Sequence, residues 1–149
     1  MTKENFAIFI KDHLPIAELA GITLQFSSET VAKTQVSLAF INQNPFKSMF
    51  WAVQGMAAEL SSGVLCMNAV NKFKHDISML VIKQEAEFFK KAIGTLTFTC
   101  VQGKEIENII AKSIISQKGE SIIVKSEGID ESGDCVAIFY FTWSFKVRQ

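Results

Sequence analysis

The segment from Ser48 to about Val70 constrains the fold more than any other part of the sequence, because Glu59 is the only charge between Lys47 and Lys72. Its apolar residues recur at helical spacing: Val53, Ala57, Leu60, Val64 and Met67 fall on one stripe, the expected core face. Ala52, Gly55, Glu59, Ser62 and Cys66 fall roughly opposite, and that stripe is small-residue throughout apart from the carboxylate. A solvent-facing stripe would carry several long charged side chains. The pattern therefore predicts a long helix buried on nearly all sides, so other elements must wrap around it. Where it begins is open, since Asn44-Pro45 would cap it early and Ser48 would cap it later.

The remaining chain supplies mostly strands. Ile22, Leu24 and Phe26 alternate with polar residues, and after a turn at Ser27–Thr30 so do Ala32, Thr34, Val36, Leu38 and Phe40, which predicts an antiparallel hairpin over 21–40. Further strands are expected over Ile77–Phe89, Thr95–Gln102, Glu120–Ile129 and Asp134–Val147. In the last of these Ala137, Phe139, Phe141, Trp143 and Phe145 share one face. A short amphipathic helix is expected over Glu4–Leu14, ended by Pro15. A second, read as a surface helix, is expected over Lys104–Ser116. The economical packing is α+β: an antiparallel sheet of five to six strands wrapped around the long helix, as one domain over 1–149. One helix covers one face only, so the rest of the sheet needs another layer, a partner subunit or polar residues.

Composition narrows the function. Fifteen Lys+Arg balance fifteen Asp+Glu. No electrostatic pull toward nucleic acid or an anionic membrane is expected from that balance. No apolar run approaches the roughly 20 residues of a membrane span. The short stretch Phe6–Ile10 is broken by Lys11-Asp12 and does not read as a signal core. Cys66, Cys100 and Cys135 are too widely spaced for a metal-ligand motif or a disulfide framework, so the expected setting is cytoplasmic and reduced, with no metal or cofactor. His13 and His75 stand in no catalytic motif, and there is neither a Gly-x-Ser-x-Gly elbow nor a phosphate-binding glycine loop. Lys72, Lys74, Lys90 and Lys91 read as a solvated charged face, with nucleotide phosphate contact as the other reading.

The order of elements, together with the stretch Asn44-Pro45-Phe46-Lys47-Ser48-Met49-Phe50-Trp51-Ala52-Val53-Gln54-Gly55-Met56-Ala57-Ala58-Glu59-Leu60-Ser61-Ser62-Gly63, resembles the hotdog-fold thioesterase superfamily. The likeness is to the PaaI-like acyl-CoA thioesterases and an uncharacterised branch beside them. In that superfamily an Asn precedes the central helix and an Asp or Glu follows within it, and here Asn44 and Glu59 stand fifteen positions apart. The resemblance implies a homodimer or a dimer of dimers, with a site formed between two protomers. One departure is plain: Phe50-Trp51-Ala52 occupies the place of the His-Gly-Gly that PaaI-like enzymes carry at the helix start.

Thioester hydrolysis needs an activated water or a nucleophile, and donors for the developing oxyanion. The resemblance gives these roles to Glu59, as general base or nucleophile, and to Asn44, as the group orienting water or carboxylate. A carboxylate in largely apolar surroundings has its pKa raised toward the range useful near neutral pH. The amides around Trp51 and Ala52, at the positive end of the helix, would polarise the carbonyl. Trp51, Ala52, Gln54 and Ser62 are the candidate substrate-binding residues, Trp51 reading first as wall or dimer packing and second as a lining of an acyl pocket. The expected substrate is an acyl thioester of coenzyme A or of a carrier protein. A non-catalytic acyl- or lipid-binding hotdog module is the alternative, and a hydratase is disfavoured by the missing helix histidine.

Overall fold

The structure, a computed structural model, describes residues 1–148. In chain order it comprises α1 (Lys3–His13), α2 (Pro15–Leu19), β1 (Thr23–Ser27), β2 (Ala32–Ser37), a 3-10 turn (Phe40–Asn42), α3 (Trp51–Val70), β3 (Ile77–Phe88), β4 (Thr95–Cys100), α4 (Gly103–Ser116), β5 (Glu120–Ile129) and β6 (Cys135–Val147). The six strands form one sheet in the order β1-β2-β4-β5-β6-β3, every neighbouring pair antiparallel. The 20-residue α3 is the central helix and packs against β2, β4, β5 and β6. This is the α+β hotdog architecture that the buried helix requires.

The alternation in β6 is realised as predicted: Ala137, Phe139, Phe141, Trp143 and Phe145 are all buried. Phe139 stacks on Phe141 with ring centroids 5.9 Å apart, and meets Phe98 and Phe88 edge-on at 6.0 and 5.6 Å. Burying each such ring contributes about 1.5–3 kcal/mol. The packing is close enough that a Cβ at Gly128 would lie 2.5 Å from the Phe98 ring, so β5 passes Phe98 only because that position has no side chain. The outer face of the sheet is mixed: Gln35 donates to Thr97 Oγ1 across β2 and β4 at 3.2 Å and Lys125 pairs with Glu127 at 3.1 Å, whereas Leu80 and Ile123 on the same face are exposed.

The helix over 103–116 is the expected amphipathic surface helix: α4 packs its fully buried Ile106 and Ile110 on α3, β5 and β6 and leaves Lys104, Glu105, Lys112 and Ile115 exposed. Other expectations are corrected. The hairpin face is broken at Phe26, where a register shift after Leu24 turns the ring outward. Phe40 does not extend β2: the chain enters the 3-10 turn there, and Phe40 is 88% exposed. α3 begins at Trp51 rather than Ser48, and neither Asn44 nor Ser48 caps it. Burial of α3 on all sides holds from Leu60 to Cys66, whereas Ala52, Gly55, Met56 and Glu59 stay partly open along one stripe.

Candidate active site

The approach to α3 is built by two asparagines. Asn42 is buried; its Oδ1 accepts from the Ala39 amide at 2.8 Å, and its Nδ2 donates to the carbonyls of Ala20 and Ser37 at 3.0 and 2.9 Å. Asn44 shapes the next loop. Its Oδ1 accepts from the amides of Phe46 and Ser48 at 2.9 and 3.2 Å, and its Nδ2 donates to Ser48 Oγ at 3.0 Å. That turn lets Lys47 take a left-handed backbone with φ of 61°. The Met49 amide then donates to the Ala92 carbonyl at 2.8 Å, tying the loop to the segment after β3.

Phe50 is the N-cap of α3, and no side chain caps the helix. Among the described residues the amides of Trp51 and Ala52 have no hydrogen-bond partner. The first amides of a helix point outward with the positive end of its dipole behind them, so they suit a carbonyl oxygen or an anion.

Glu59 stands two turns further on, partly buried. Its carboxyl leans toward Gly63, where an added Cβ would sit 3.7 Å from both Oε1 and Oε2 and 3.8 Å from the Trp143 indole. No hydrogen bond or ion pair reaches this carboxyl among the described residues. The Ser62 hydroxyl donates to the Glu59 main-chain carbonyl at 2.9 Å and accepts from Trp143 Nε1 at 2.9 Å, so neither group is free for the carboxyl. Desolvation by burial, uncompensated by any donor, pushes the Glu59 pKa from 4.5 up to about 7. Burial also lifts the thiols of Cys66 and Cys100, the latter to about 11, which leaves both as protonated, inert packing groups at neutral pH.

The sequence-predicted residues thus fall into two groups. Asn44, Trp51 and Gln54 line one open cleft of about 380 Å³, whose opposite wall is the segment Phe88–Ala92. Ala52 is half-buried beside it on α3. Glu59 does not line that cleft. Eight residues of helix separate it from Trp51, about 12 Å along the axis at 1.5 Å per residue. Ser62 lies fully buried beneath Trp143. Asn42, Gly63 and Trp143 were not singled out from the sequence. Gly63 carried a usable signal, one helical turn after the lone carboxylate, whereas Trp143 is distant in the chain and Asn42 is one polar loop residue among several.

Lys90 bridges Asp130 and Asp134 at 2.7 and 2.9 Å, and Lys72 bridges Glu29 and Glu107 at 3.1 and 2.8 Å, so both are committed to surface ion pairs. Among the described residues no group of three or more His, Cys, Asp or Glu side chains is placed to hold a metal ion. No described helix is long and apolar enough to cross a membrane.

The fold recurs in solved structures of thioesterase type. A Pseudomonas aeruginosa protein of unknown function, PA5026, described as a probable thioesterase, superposes with a TM-score of 0.84 at 15% identity, covering 99% of this chain and 97% of that one. The Escherichia coli PaaI protein from the phenylacetic acid degradation operon is similar with a TM-score of 0.67 at 15% identity, covering 95% and 91%. A Staphylococcus aureus thioesterase, SAV0944, gives 0.61 at 11% identity, covering 89% of this chain and 98% of that one. SAV0944 has been solved with alanine in place of a glutamate and, separately, of a glutamine fifteen positions before it. No family model matches the chain, and no curated protein matches it in sequence. The chain has the hotdog fold of these thioesterase structures.

Proposed function

We propose that this protein hydrolyses an acyl thioester carried by coenzyme A or by a carrier protein, with Glu59 as general base or nucleophile. The observation that carries the reading is the state of Glu59: a lone carboxyl without a hydrogen-bond partner, on the open stripe of a buried helix, with a pKa of about 7. Such a group is protonated and ionised in comparable amounts near neutrality, which suits proton transfer. The uncapped amides of Trp51 and Ala52 supply the complementary half, donors for a developing oxyanion. The glutamate and glutamine altered in SAV0944 stand fifteen positions apart, the spacing between Asn44 and Glu59 here.

The two halves do not meet within one chain, since about 12 Å of helix axis separates them. A two-fold arrangement resolves this: the helix start and Asn44 loop of one copy face Glu59 of another. β3 offers the means. It is an edge strand of 12 residues bonded only to β6, with Leu80 64% and Ile82 56% exposed. Its first half, from Ile77 to Ile82, carries no charge, and an apolar edge of that kind is a template for pairing with a second strand, whereas Lys83, Glu85 and Glu87 charge the second half. Phe50-Trp51-Ala52 narrows the helix start without removing its amides, so a bulky wall, not a lost oxyanion site, is the consequence of the missing glycines.

The test is free-thiol release from a panel of short- to long-chain acyl-CoAs, run beside Glu59→Gln. Turnover that falls by about 10²–10⁴-fold in the variant is expected. Turnover unaffected by the change would sink the mechanism, and saturable acyl binding without turnover would establish the binding-module alternative.

A further inference from the structure

Gln54 is 4% exposed, yet its Oε1 has no hydrogen-bond partner in the fold. Buried side-chain oxygens are almost always paired, so this one marks a position completed by something outside the chain. Gln54 lines the cleft between the start of α3 and Phe88–Ala92, within the first turn of the helix.

The two kinds of group here make opposite demands. The amides of Trp51 and Ala52 only donate, so they call for a carbonyl. Gln54 Oε1 only accepts, so it calls for an N–H or O–H. Gln54 lies two to three residues past those amides, about 3–4.5 Å along the axis. A ligand that satisfies both carries a carbonyl and, a few bonds away, a donor. A thioester of cysteamine type has this layout: the acyl carbonyl, then sulfur, two methylenes and an amide N–H.

We propose that Gln54 is the specificity-determining residue for the leaving group, accepting a hydrogen bond from the first amide N–H of a pantetheine arm whose thioester carbonyl lies against the Trp51 and Ala52 amides. This rests on the thioesterase reading and deepens it. It implies that the enzyme selects the shared pantetheine unit of coenzyme A and carrier proteins over thioesters lacking that amide.

The experiment compares two isosteric substrates with the same acyl group, an N-acetylcysteamine thioester and its analogue with ester oxygen in place of the amide N–H. The wild type is expected to prefer the amide by about tenfold or more in kcat/KM, and Gln54→Leu to bring that ratio near one. Gln54→Met, which keeps the length of the side chain, serves if the leucine variant misfolds by circular dichroism. A wild type without preference, or a variant that keeps it, overturns the assignment. If neither substrate is turned over, the thioesterase reading fails on its own account, and calorimetry with free pantetheine then decides. Binding to the wild type that weakens tenfold or more in the variant sustains the role of Gln54, and equal or absent binding ends it. A variant with altered dimerisation and unaltered pantetheine affinity would show that a second copy supplies the donor, which also overturns it.

Discussion

The indole N–H of Trp143 donates a 2.9 Å hydrogen bond to Ser62 Oγ, and the same hydroxyl donates to the main-chain carbonyl of Glu59. With both groups engaged in this way, neither the indole N–H nor the hydroxyl is left to donate to the Glu59 carboxyl. Ser62→Ala removes the acceptor and strands a buried N–H, so a stability loss of about 1–3 kcal/mol is expected in urea unfolding. KM for acyl-CoA should not change, because the hydroxyl is buried within the protein. A raised KM without loss of stability would return Ser62 to the substrate.

Glu59 also sets the pH dependence of stability. Its carboxyl is lifted from 4.5 to about 7 in the folded state. Between those values the native state holds a proton that the unfolded chain has released, so stability falls as pH rises, and the loss is complete above about 7. One pKa unit is worth 1.36 kcal/mol, which makes the full effect about 3 kcal/mol. Glu59→Gln should therefore match the wild type near pH 4 and exceed it by up to about 3 kcal/mol at pH 8, read from urea midpoints at the two pH values. Turnover should move the opposite way, rising with pH through the same window as the carboxylate forms.

Gly63 gives a gentler lever on the same group. A methyl there fits at 3.7 Å from both carboxyl oxygens and shields them further from water. Gly63→Ala should shift the acid limb of the rate profile to higher pH. It should also stabilise the helix by about 1 kcal/mol. A limb that stays in place would mean that solvent reaches the carboxyl from another side.

The β3 edge can be tested without touching the cleft or Glu59. Ile82→Lys places a charge on the exposed edge, a device that blocks strand pairing. The wild type is expected to scatter light as a dimer at micromolar concentration. The variant should be a monomer with an unchanged far-ultraviolet spectrum and little or no turnover. An active monomer would contradict the shared site.

Legibility in the sequence followed the range of the interaction. The β6 face from Ala137 to Phe145 and the helical run holding Glu59 were readable because a fixed period and an isolated charge are local signals. Phe26 and Phe40 departed from their faces because a bulge and a 3-10 turn each break the count of two without a Gly or Pro to announce it. The apolar stripe of α4 was readable from Ile106 and Ile110, but not that α3, β5 and β6 are what covers it. The surroundings of Glu59 were out of reach for a plainer reason: Trp143 lies 81 positions beyond Ser62 and meets it only through the sheet. Asn44 was visible as a residue, but the hydrogen bonds that commit it to its own loop depend on Ser48 folding back, which no spacing rule foretells.

The bond from the Met49 amide to the Ala92 carbonyl has a consequence for how a ligand enters. It stitches the floor of the cleft, joining the wall before α3 to the wall after β3. The gap between them is set when the chain folds, not when a substrate arrives. A pantetheine arm seated there would meet a width that is already fixed, and adjustment is left to rotation of Phe89, Lys91 and the half-exposed Trp51 at the rim.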